Sequence, residues 1–135
     1  MVMRGTRTVR IRNGYNVIMS LYAPFRSRIY RYNSEIRDSG YYLKPVHLVY
    51  KSIRGRRVKY VYFGRYWYRV VRKGGSIKWI YVGRDKPDPH LPDPPLSPFE
   101  GIGIAILGDD VVVDEKTYMV LKKIADLLGY KGKLP

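Results

Sequence analysis

Four cationic side chains stand close together near the middle of the sequence, at Arg54, Arg56, Arg57 and Lys59. Like charges this close repel one another unless an anion lies between them. Guanidinium groups hold phosphate through paired hydrogen bonds, and ammonium groups hold it as point charges. The cluster therefore predicts phosphate binding, in preference to the alternative that these residues only protect a strand edge from aggregation.

Aromatic residues are interleaved with these cations, and the whole chain holds 14 Tyr and 2 Trp. Aromatic rings stack on bases and sugars, although cross-strand aromatic pairs also stabilise sheets that bind nothing. We predict that cations and rings together contact nucleic acid. The predicted contact residues are Arg4, Arg7, Arg10, Arg12, Tyr50, Arg54, Arg56, Arg57, Lys59, Trp67, Arg69, Arg72, Lys73 and Lys78.

A sequence repeat positions these residues. Residues 58–65 (VKYVYFGR) recur at an offset of 19 as residues 77–84 (IKWIYVGR). In each copy a glycine-bearing dipeptide, Gly55-Arg56 or Gly74-Gly75, separates two runs rich in β-branched and aromatic residues. Glycine admits the positive φ of two-residue turns, so each copy predicts a β-hairpin.

Strict alternation assigns the faces of these hairpins. In the second hairpin it places Val70 opposite Trp79 and Tyr68 opposite Tyr81. We predict that the face with these aromatic side chains packs inward, as does the equivalent face of the first hairpin, which carries Tyr60 and Tyr62 in its sequence. The opposite face, with Trp67, Arg69, Lys73 and Lys78, is then available to a ligand.

Basic, aromatic hairpins whose strands end in Gly-Arg resemble the small β-sheet DNA-binding arms of integrases and archaeal β-rich chromatin proteins. The resemblance rests on residues 49–84 and implies a sheet that contacts DNA. We accordingly favour DNA over RNA as the partner. The chain has few Asn and no Gln to read base edges, which predicts low sequence specificity.

Charge divides the chain into a basic and an acidic part. Residues 1–84 hold 20 Lys and Arg against two acids, and residues 85–135 hold six Lys against nine acids. Such a field attracts a polyanion and orients the protein on it. The absence of Cys excludes disulfides and Cys-based zinc sites, and with the lack of Gln it indicates a hyperthermophilic, archaeal or viral source.

The sequence signals for strands and turns are weaker in residues 6–42, before the repeat. Residues 6–12 alternate as an edge strand, and Asn13-Gly14 marks a turn. Residues 15–22 are predicted to return as its partner strand, and the alternative of a helix there would be stopped by Pro24. Residues 25–42 are interpreted as polar-aromatic loops, with a turn cluster at Asn33.

Six prolines among residues 85–98 predict an extended linker. Residues 99–135 predict a ββα unit, in which Asp114 caps a helix that Gly129 ends. Its predicted apolar stripe consists of Val120, Leu121, Ile124, Leu127 and Leu128. The predicted domains are thus a basic body at 1–84, a linker at 85–98 and a docking unit at 99–135, which allows a homodimer through the C-terminal helix.

The predicted fold class is α+β and β-rich, with an antiparallel hairpin-built sheet of about six strands, open or closed into a small barrel, and one C-terminal helix. No apolar run is long enough to span a membrane and no signal peptide opens the chain, so we expect a soluble cytoplasmic protein without membrane partners. We expect no cofactor and no metal.

Residues suited to catalysis are sparse, and we do not expect an enzyme. His47 and His90 have no ligating partner at metal-site spacing. An acidic-x-Lys pattern at Asp114 and Lys116, preceded by Glu100 or Asp110, faintly resembles metal-dependent nucleases, but Asp114 suits a helix cap better. Besides DNA binding, three alternatives stay open: an accessory protein of the ribosome or another ribonucleoprotein, a viral assembly component, and the nuclease.

Overall fold

The computed structural model describes residues 7–130 together with residues 132 and 134. Its elements in chain order are β1 (Thr8–Ile11), α1 (Gly14–Glu35), β2 (Tyr41–Ile53), β3 (Arg56–Lys73), β4 (Ser76–Gly83), β5 (Gly103–Leu107), β6 (Asp110–Asp114) and α2 (Glu115–Leu127), with a short 3-10 turn at Arg37–Ser39. Hydrogen bonds order the strands β1-β6-β5-β3-β2, and β4 pairs with β3. The predicted α+β fold is confirmed, with an open antiparallel sheet.

Tight turns join the strands of both repeat hairpins. Both turn residues have positive φ in each case, at 49° and 75° for Arg54 and Gly55 and at 56° and 84° for Gly74 and Gly75. This conformation is the one that matches strand twist in two-residue hairpins. The predicted pairing of Val70 with Trp79 is confirmed. The first turn lies one residue earlier than the repeat offset predicts.

The interpretation of residues 15–42 was wrong, because α1 occupies most of this segment. Buried apolar side chains recur in it every three or four residues, the spacing of one helix face. They are Ile18, Tyr22, Phe25, Ile29, Tyr32 and Ile36. Pro24 lies inside the helix and is exposed, so it does not end the helix. Strand β1 consequently pairs with β6 and not with residues 15–22.

The chain divides into two compact units, each built from separate segments. Unit 1 comprises residues 1–22, 48–62 and 102–135, and unit 2 comprises residues 23–47 and 63–101. Unit 1 has 14 Lys and Arg against five acids, and unit 2 has 12 against six, so both are basic. This division differs from the boundaries at residues 84 and 98 that composition predicts.

In unit 1, one face of the sheet is covered by helical residues. Strand β6 pairs with β1 on one side and with β5 on the other, and β5 pairs with β3. Helix α2 packs on β6 and β1. The buried side chains of the unit include Ile11, Ile18, Tyr22, Val61, Ile104, Ile106, Val111, Val113, Leu121 and Ile124.

Gly14 illustrates how tightly the start of α1 packs in this unit. A Cβ at this position would lie 2.8 Å from Ile11 Cγ2 and 3.1 Å from Val111 Cβ. Glycine is therefore needed at position 14 because of close approach, since the start of the helix lies directly against two strands.

In unit 2, the core joins α1, β2, β3 and the proline-rich segment. It consists of Ile29, Tyr32, Ile36, Leu43, Trp67 and Leu91, with Tyr41 packed against it. The rings of Tyr32 and Trp67 meet edge to face at 6.0 Å. Asn33, predicted to lie in a turn, is a buried helix residue whose side chain bonds the backbone of Leu43.

Residues 85–98 form no helix or strand, yet they are part of unit 2. Leu91 belongs to the core of the unit, and the Tyr32 hydroxyl donates a hydrogen bond of 2.6 Å to the Pro92 carbonyl. Lys86 Nζ bonds the Leu91 carbonyl and Asp93 Oδ1, both at 2.9 Å. The segment is therefore anchored at several points along its length.

The predicted ββα unit is confirmed as β5, β6 and α2. Asp114 caps α2 by accepting a hydrogen bond of 2.7 Å from Thr117 N, and Gly129 follows the helix with a φ of 73°. The apolar stripe was only partly right. Leu121 and Ile124 are buried, whereas Val120, Leu127 and Leu128 are exposed. The homodimer through this helix stays a prediction.

Candidate nucleic-acid interface

Three of the predicted arginines line one hollow in unit 1. Arg10 comes from β1, and Arg56 and Arg57 come from the start of β3. With Leu107 and Gly108 they enclose a hollow of about 450 Å³. Strands β6 and β5 lie between β1 and β3 in the sheet, and the hollow lies between the two flanking strands, beside Leu107 and Gly108 at the turn from β5 to β6. The structure thus places part of the predicted N-terminal arm beside the tip of the first hairpin.

The charges in this hollow are largely uncompensated. Arg10 Nε lies 2.9 Å from Asp110 Oδ2, and Asp110 Oδ1 accepts a bond of 2.9 Å from Asn13 N. The hydrogen bond from Asn13 N and then that from Arg10 hold the pKa of Asp110 below its ordinary value. Arg56 and Arg57 form no ion pair with any carboxylate among the described residues, so their charge is available to an external anion.

The first hairpin also holds its cations against aromatic rings. Arg57 Cζ lies 4.4 Å from the ring centroid of Tyr50, which is about half exposed. Lys59 Nζ lies 5.4 Å from the ring of Tyr15, and Lys59 is partly buried. Cation–π contact orients a side chain without neutralising its charge. Tyr50 and Arg57 are therefore exposed side by side, while Lys59 does not line the hollow.

The other predicted arginines of the N-terminal arm and of the first hairpin that the structure describes do not line the hollow. Arg4 lies outside the described residues. Arg7 and Arg12 are exposed, and the Arg7 carbonyl accepts a hydrogen bond of 3.0 Å from Glu115 N. Arg54 is exposed in the turn of the first hairpin. These three side chains are accessible, but they are not among the residues that line the hollow.

The cations of the second hairpin belong to unit 2. Arg69, Arg72, Lys73 and Lys78 are all exposed, and Val71 pairs with Lys78 in the ladder. Arg72 lines a cavity of about 420 Å³ to which α1 and β2 also contribute. All four cations predicted in the second hairpin are therefore accessible to solvent.

The predicted stacking role of Trp67 is overturned by its complete burial, with a relative exposure of 0%. The predicted inward packing of Trp79 and Tyr81 was wrong, and a register shift between Trp67 and Tyr68 interrupts the strict alternation on which the faces were assigned. Trp67 packs into the core of unit 2, and the face predicted to pack inward exposes Trp79 at 51% and Tyr81 at 51%. Alternation alone fixes which residues share a face, and it does not fix which face is inside.

That exposed face carries an aromatic cavity that the sequence analysis missed. Tyr30, Tyr42, Lys44, Tyr68 and Trp79 line most of it, and its volume is about 360 Å³. Trp79 meets Tyr42 at 5.1 Å and Tyr68 at 6.4 Å, both edge to face. The alternating pattern that pairs Val70 with Trp79 could have indicated this cluster, had the face been assigned to solvent.

Electrostatics of the aromatic cavity favour an anionic ligand. Lys44 Nζ lies 5.6 Å from the ring centroid of Tyr68. Burial, and then the neighbouring Tyr30, raise the pKa of Tyr42 above its ordinary value of 10.0, so its hydroxyl stays protonated near neutral pH. Residues 41–84 contain 12 Lys and Arg and no acid. Nothing in this stretch opposes an approaching phosphate.

Within the described residues no group of three or more His, Asp or Glu side chains is placed to hold a metal ion. Asp114 is used as the cap of α2, and Lys116 lies in the first turn of that helix. His90 Nδ1 lies 3.0 Å from Asp88 Oδ1, and His47 contacts the ring of Tyr66. Asp114 and Lys116, two of the residues that the nuclease alternative would use, therefore lie at the start of α2.

Comparisons with protein-family models, with curated proteins and with solved structures found no match to this chain. Among the helices of the described residues, none combines the length and the apolar character needed to cross a membrane. Function is therefore inferred from geometry, exposure and charge.

Proposed function

We propose that this protein binds nucleic acid with low sequence specificity, through phosphate contacts at the tips of its two repeat hairpins. The observation that carries the proposal is the hollow of unit 1, where Arg56 and Arg57 lie beside Arg10 and have no carboxylate partner among the residues that the structure describes. Three guanidinium groups around one hollow suit the closely spaced anions of a phosphate backbone.

The distribution of charge supports the same proposal. Both hairpin tips belong to residues 41–84, which contain no acid, and their cations are exposed. Neutralising phosphates releases condensed counterions, so binding of this kind is strong in dilute salt and weakens steeply as salt rises. We propose DNA as the partner because of the hairpin pattern, and a structured RNA partner is the outcome that the same experiment would separate.

The experiment is a binding titration with duplex DNA, single-stranded DNA and structured RNA over a series of salt concentrations. The test variant carries Arg56→Ala and Arg57→Ala. The matched control carries Lys122→Ala and Lys123→Ala, which remove the same charge from exposed positions on α2 in the same unit. We expect the slope of log K against log salt to fall by about 1.8 on duplex DNA in the test variant, from about 0.9 per phosphate contact.

The control variant should keep the slope of the unmodified protein. An equal loss in both variants would show that only net charge matters, which contradicts a site at the hairpin tip. Failure of the unmodified protein to bind any of the three polymers at about 50 mM salt, where phosphate contacts are strong, would contradict the proposed function.

A further inference from the structure

The aromatic cavity of unit 2 has no part in the phosphate contacts proposed above. Helix α1 supplies Tyr30, β2 supplies Tyr42 and Lys44, β3 supplies Tyr68 and β4 supplies Trp79. Tyr30 is 48% exposed and Trp79 is 51% exposed. Large rings gathered around a concave surface, and left half in water, mark a site for a ligand with an apolar face.

The ring geometry leaves room for a parallel stack. The contacts of Trp79 with Tyr42 and Tyr68 have interplanar angles of 85° and 76°. No ring among the described residues is stacked in parallel on Trp79. The volume of about 360 Å³ is near the lower end for ligand pockets, which suits one or two small rings better than a bulky ligand.

A cationic cavity adjoins the aromatic one. The two share Tyr30 and Tyr42 in their walls, and the second also contains Arg37 and Arg72 and has a volume of about 420 Å³. No carboxylate lines either cavity among the described residues. A ligand that fills both would carry a flat ring and, next to it, a negative charge.

We infer that the aromatic cavity binds an unpaired nucleobase of a single strand, and that Arg37 and Arg72 hold an adjacent phosphate. This inference rests on the proposed function and narrows its ligand. A base within a duplex is stacked on both faces and cannot enter, so the cavity distinguishes unpaired from paired nucleic acid. A proline-rich peptide would also suit aromatic walls, but it gives no use to the three cations around them.

The test compares two polymers of equal length and equal phosphate number. One is a single-stranded oligothymidylate, and the other is the corresponding abasic oligomer, which keeps the sugar-phosphate backbone and lacks every base. We expect the unmodified protein to bind the base-bearing oligomer about 5- to 150-fold more tightly, as stacking of one base on an aromatic side chain provides. Trp79→Leu should abolish this difference and leave binding to the abasic oligomer unchanged.

Tyr81→Leu is the matched control for this variant. Tyr81 lies on the same strand, exposes its ring to the same extent as Trp79, and is not part of the cavity lining. It should keep the preference for the base-bearing oligomer. Loss of the preference in both variants would show that any disturbance of β4 has this effect, and would overturn the inference.

Fluorescence gives a second reading that does not need a substitution in the cavity. Trp67 is buried and Trp79 is half exposed, so iodide quenches mainly Trp79. A base in the cavity should protect Trp79 from iodide, and the abasic oligomer should not. The same comparison in Trp67→Phe isolates the emission of Trp79.

The possible outcomes separate this inference from the proposed function. Equal affinity for both oligomers would overturn the inference and leave the proposed function intact. Binding of neither oligomer would overturn the inference, and the proposed function would fail with it only if duplex DNA and structured RNA were not bound either. Protection of Trp79 by a proline-rich peptide, together with no protection by oligothymidylate, would identify the cavity as a peptide site and would also overturn the inference.

Discussion

The side-chain amide of Asn33 bonds both backbone polar groups of Leu43. Asn33 Nδ2 donates to the Leu43 carbonyl at 2.7 Å, and Asn33 Oδ1 accepts from Leu43 N at 2.8 Å. The amide of this α1 residue thus makes with β2 the pair of hydrogen bonds that a neighbouring strand would make. Asn33 is the only polar or charged residue among the buried residues described.

Replacing Asn33 by Leu should destabilise the protein by about 2–4 kcal/mol, because two buried backbone groups lose their partners. Urea denaturation measures the free energy of unfolding. Ser34→Ala, at the next and exposed position, serves as the control and should change it by less than about 0.5 kcal/mol. A loss of that small size in Asn33→Leu would mean that water or another group satisfies Leu43.

Trp67→Phe should be tolerated far better than its complete burial suggests. Trp67 Nε1 is buried without a hydrogen-bond partner among the described residues, so removing this N–H offsets part of the lost contact. We expect a loss below about 1.5 kcal/mol, against about 3–5 kcal/mol for Trp67→Ala. Thermal and urea unfolding check both variants, and equal losses would show that the indole N–H is stabilised by its surroundings.

Pro24→Ala should stabilise the protein. Pro24 lies in the interior of α1, is exposed, and cannot donate the backbone hydrogen bond that a helix position normally provides. Alanine restores that donor and is favoured over proline by up to about 3 kcal/mol in helix interiors. Ser27→Ala, an exposed change in the same helix, is the comparison and should gain no more than about 0.5 kcal/mol.

A loss of stability in Pro24→Ala would contradict this prediction. It would show that the local geometry that proline imposes on α1 is itself required by the packing around it. Circular dichroism would show whether helix content changes with the substitution.

Asp114 should make stability depend on pH in the acid range. Hydrogen bonds from the Thr117 side chain and backbone hold the pKa of Asp114 below its ordinary value of 3.8. A carboxyl whose pKa is lowered by folding stabilises the folded state above the unfolded pKa, and this contribution is lost as pH falls through the folded pKa. Asp114→Asn caps the helix without titrating, so it should lose less stability than the unmodified protein between pH 4 and pH 2.

The control for this prediction is Asp114→Ala, which removes the cap at every pH. At pH 7 it should cost about 0.5–2 kcal/mol, as expected for an N-cap. Chemical denaturation at several pH values gives all three curves. If the free energy of unfolding falls in parallel with pH for the unmodified protein and for Asp114→Asn, Asp114 is not a source of the acid sensitivity. Asp88, Asp93 and Asp110 also have lowered pKa values, so some acid sensitivity should remain in Asp114→Asn.

The sequence was sufficient to predict the hairpins and the C-terminal unit, because turn residues and helix caps act locally. It was not sufficient for α1, although Ile18, Tyr22 and Phe25 begin a regular helical spacing. Two of its six buried apolar side chains are tyrosines, which can also be interpreted as polar surface residues, and Pro24 suggested a break. Tertiary burial of these rings compensates for the proline.

The sequence allowed candidate residues of the site to be chosen by type, but it did not allow their positions in the fold to be predicted. Arg56 and Arg57 of the first hairpin line a common hollow, whereas Arg54 of the same tip does not. The burial of the aromatic residues was predicted wrongly because both faces of the second hairpin carry them, for example Trp67 and Trp79. Which face is buried depends on where α1 packs, and this information is not local to the strands.

Strand β4 is exposed from Ser76 to Val82 and pairs with β3 alone within the described chain. Segments with so few buried contacts open at a small fraction of the global unfolding free energy, and their amides exchange with solvent early. Each opening removes Trp79 from the wall of the aromatic cavity. The apparent affinity of that cavity is therefore lowered by the fraction of molecules in which β4 is detached, and occupancy in turn favours the attached state.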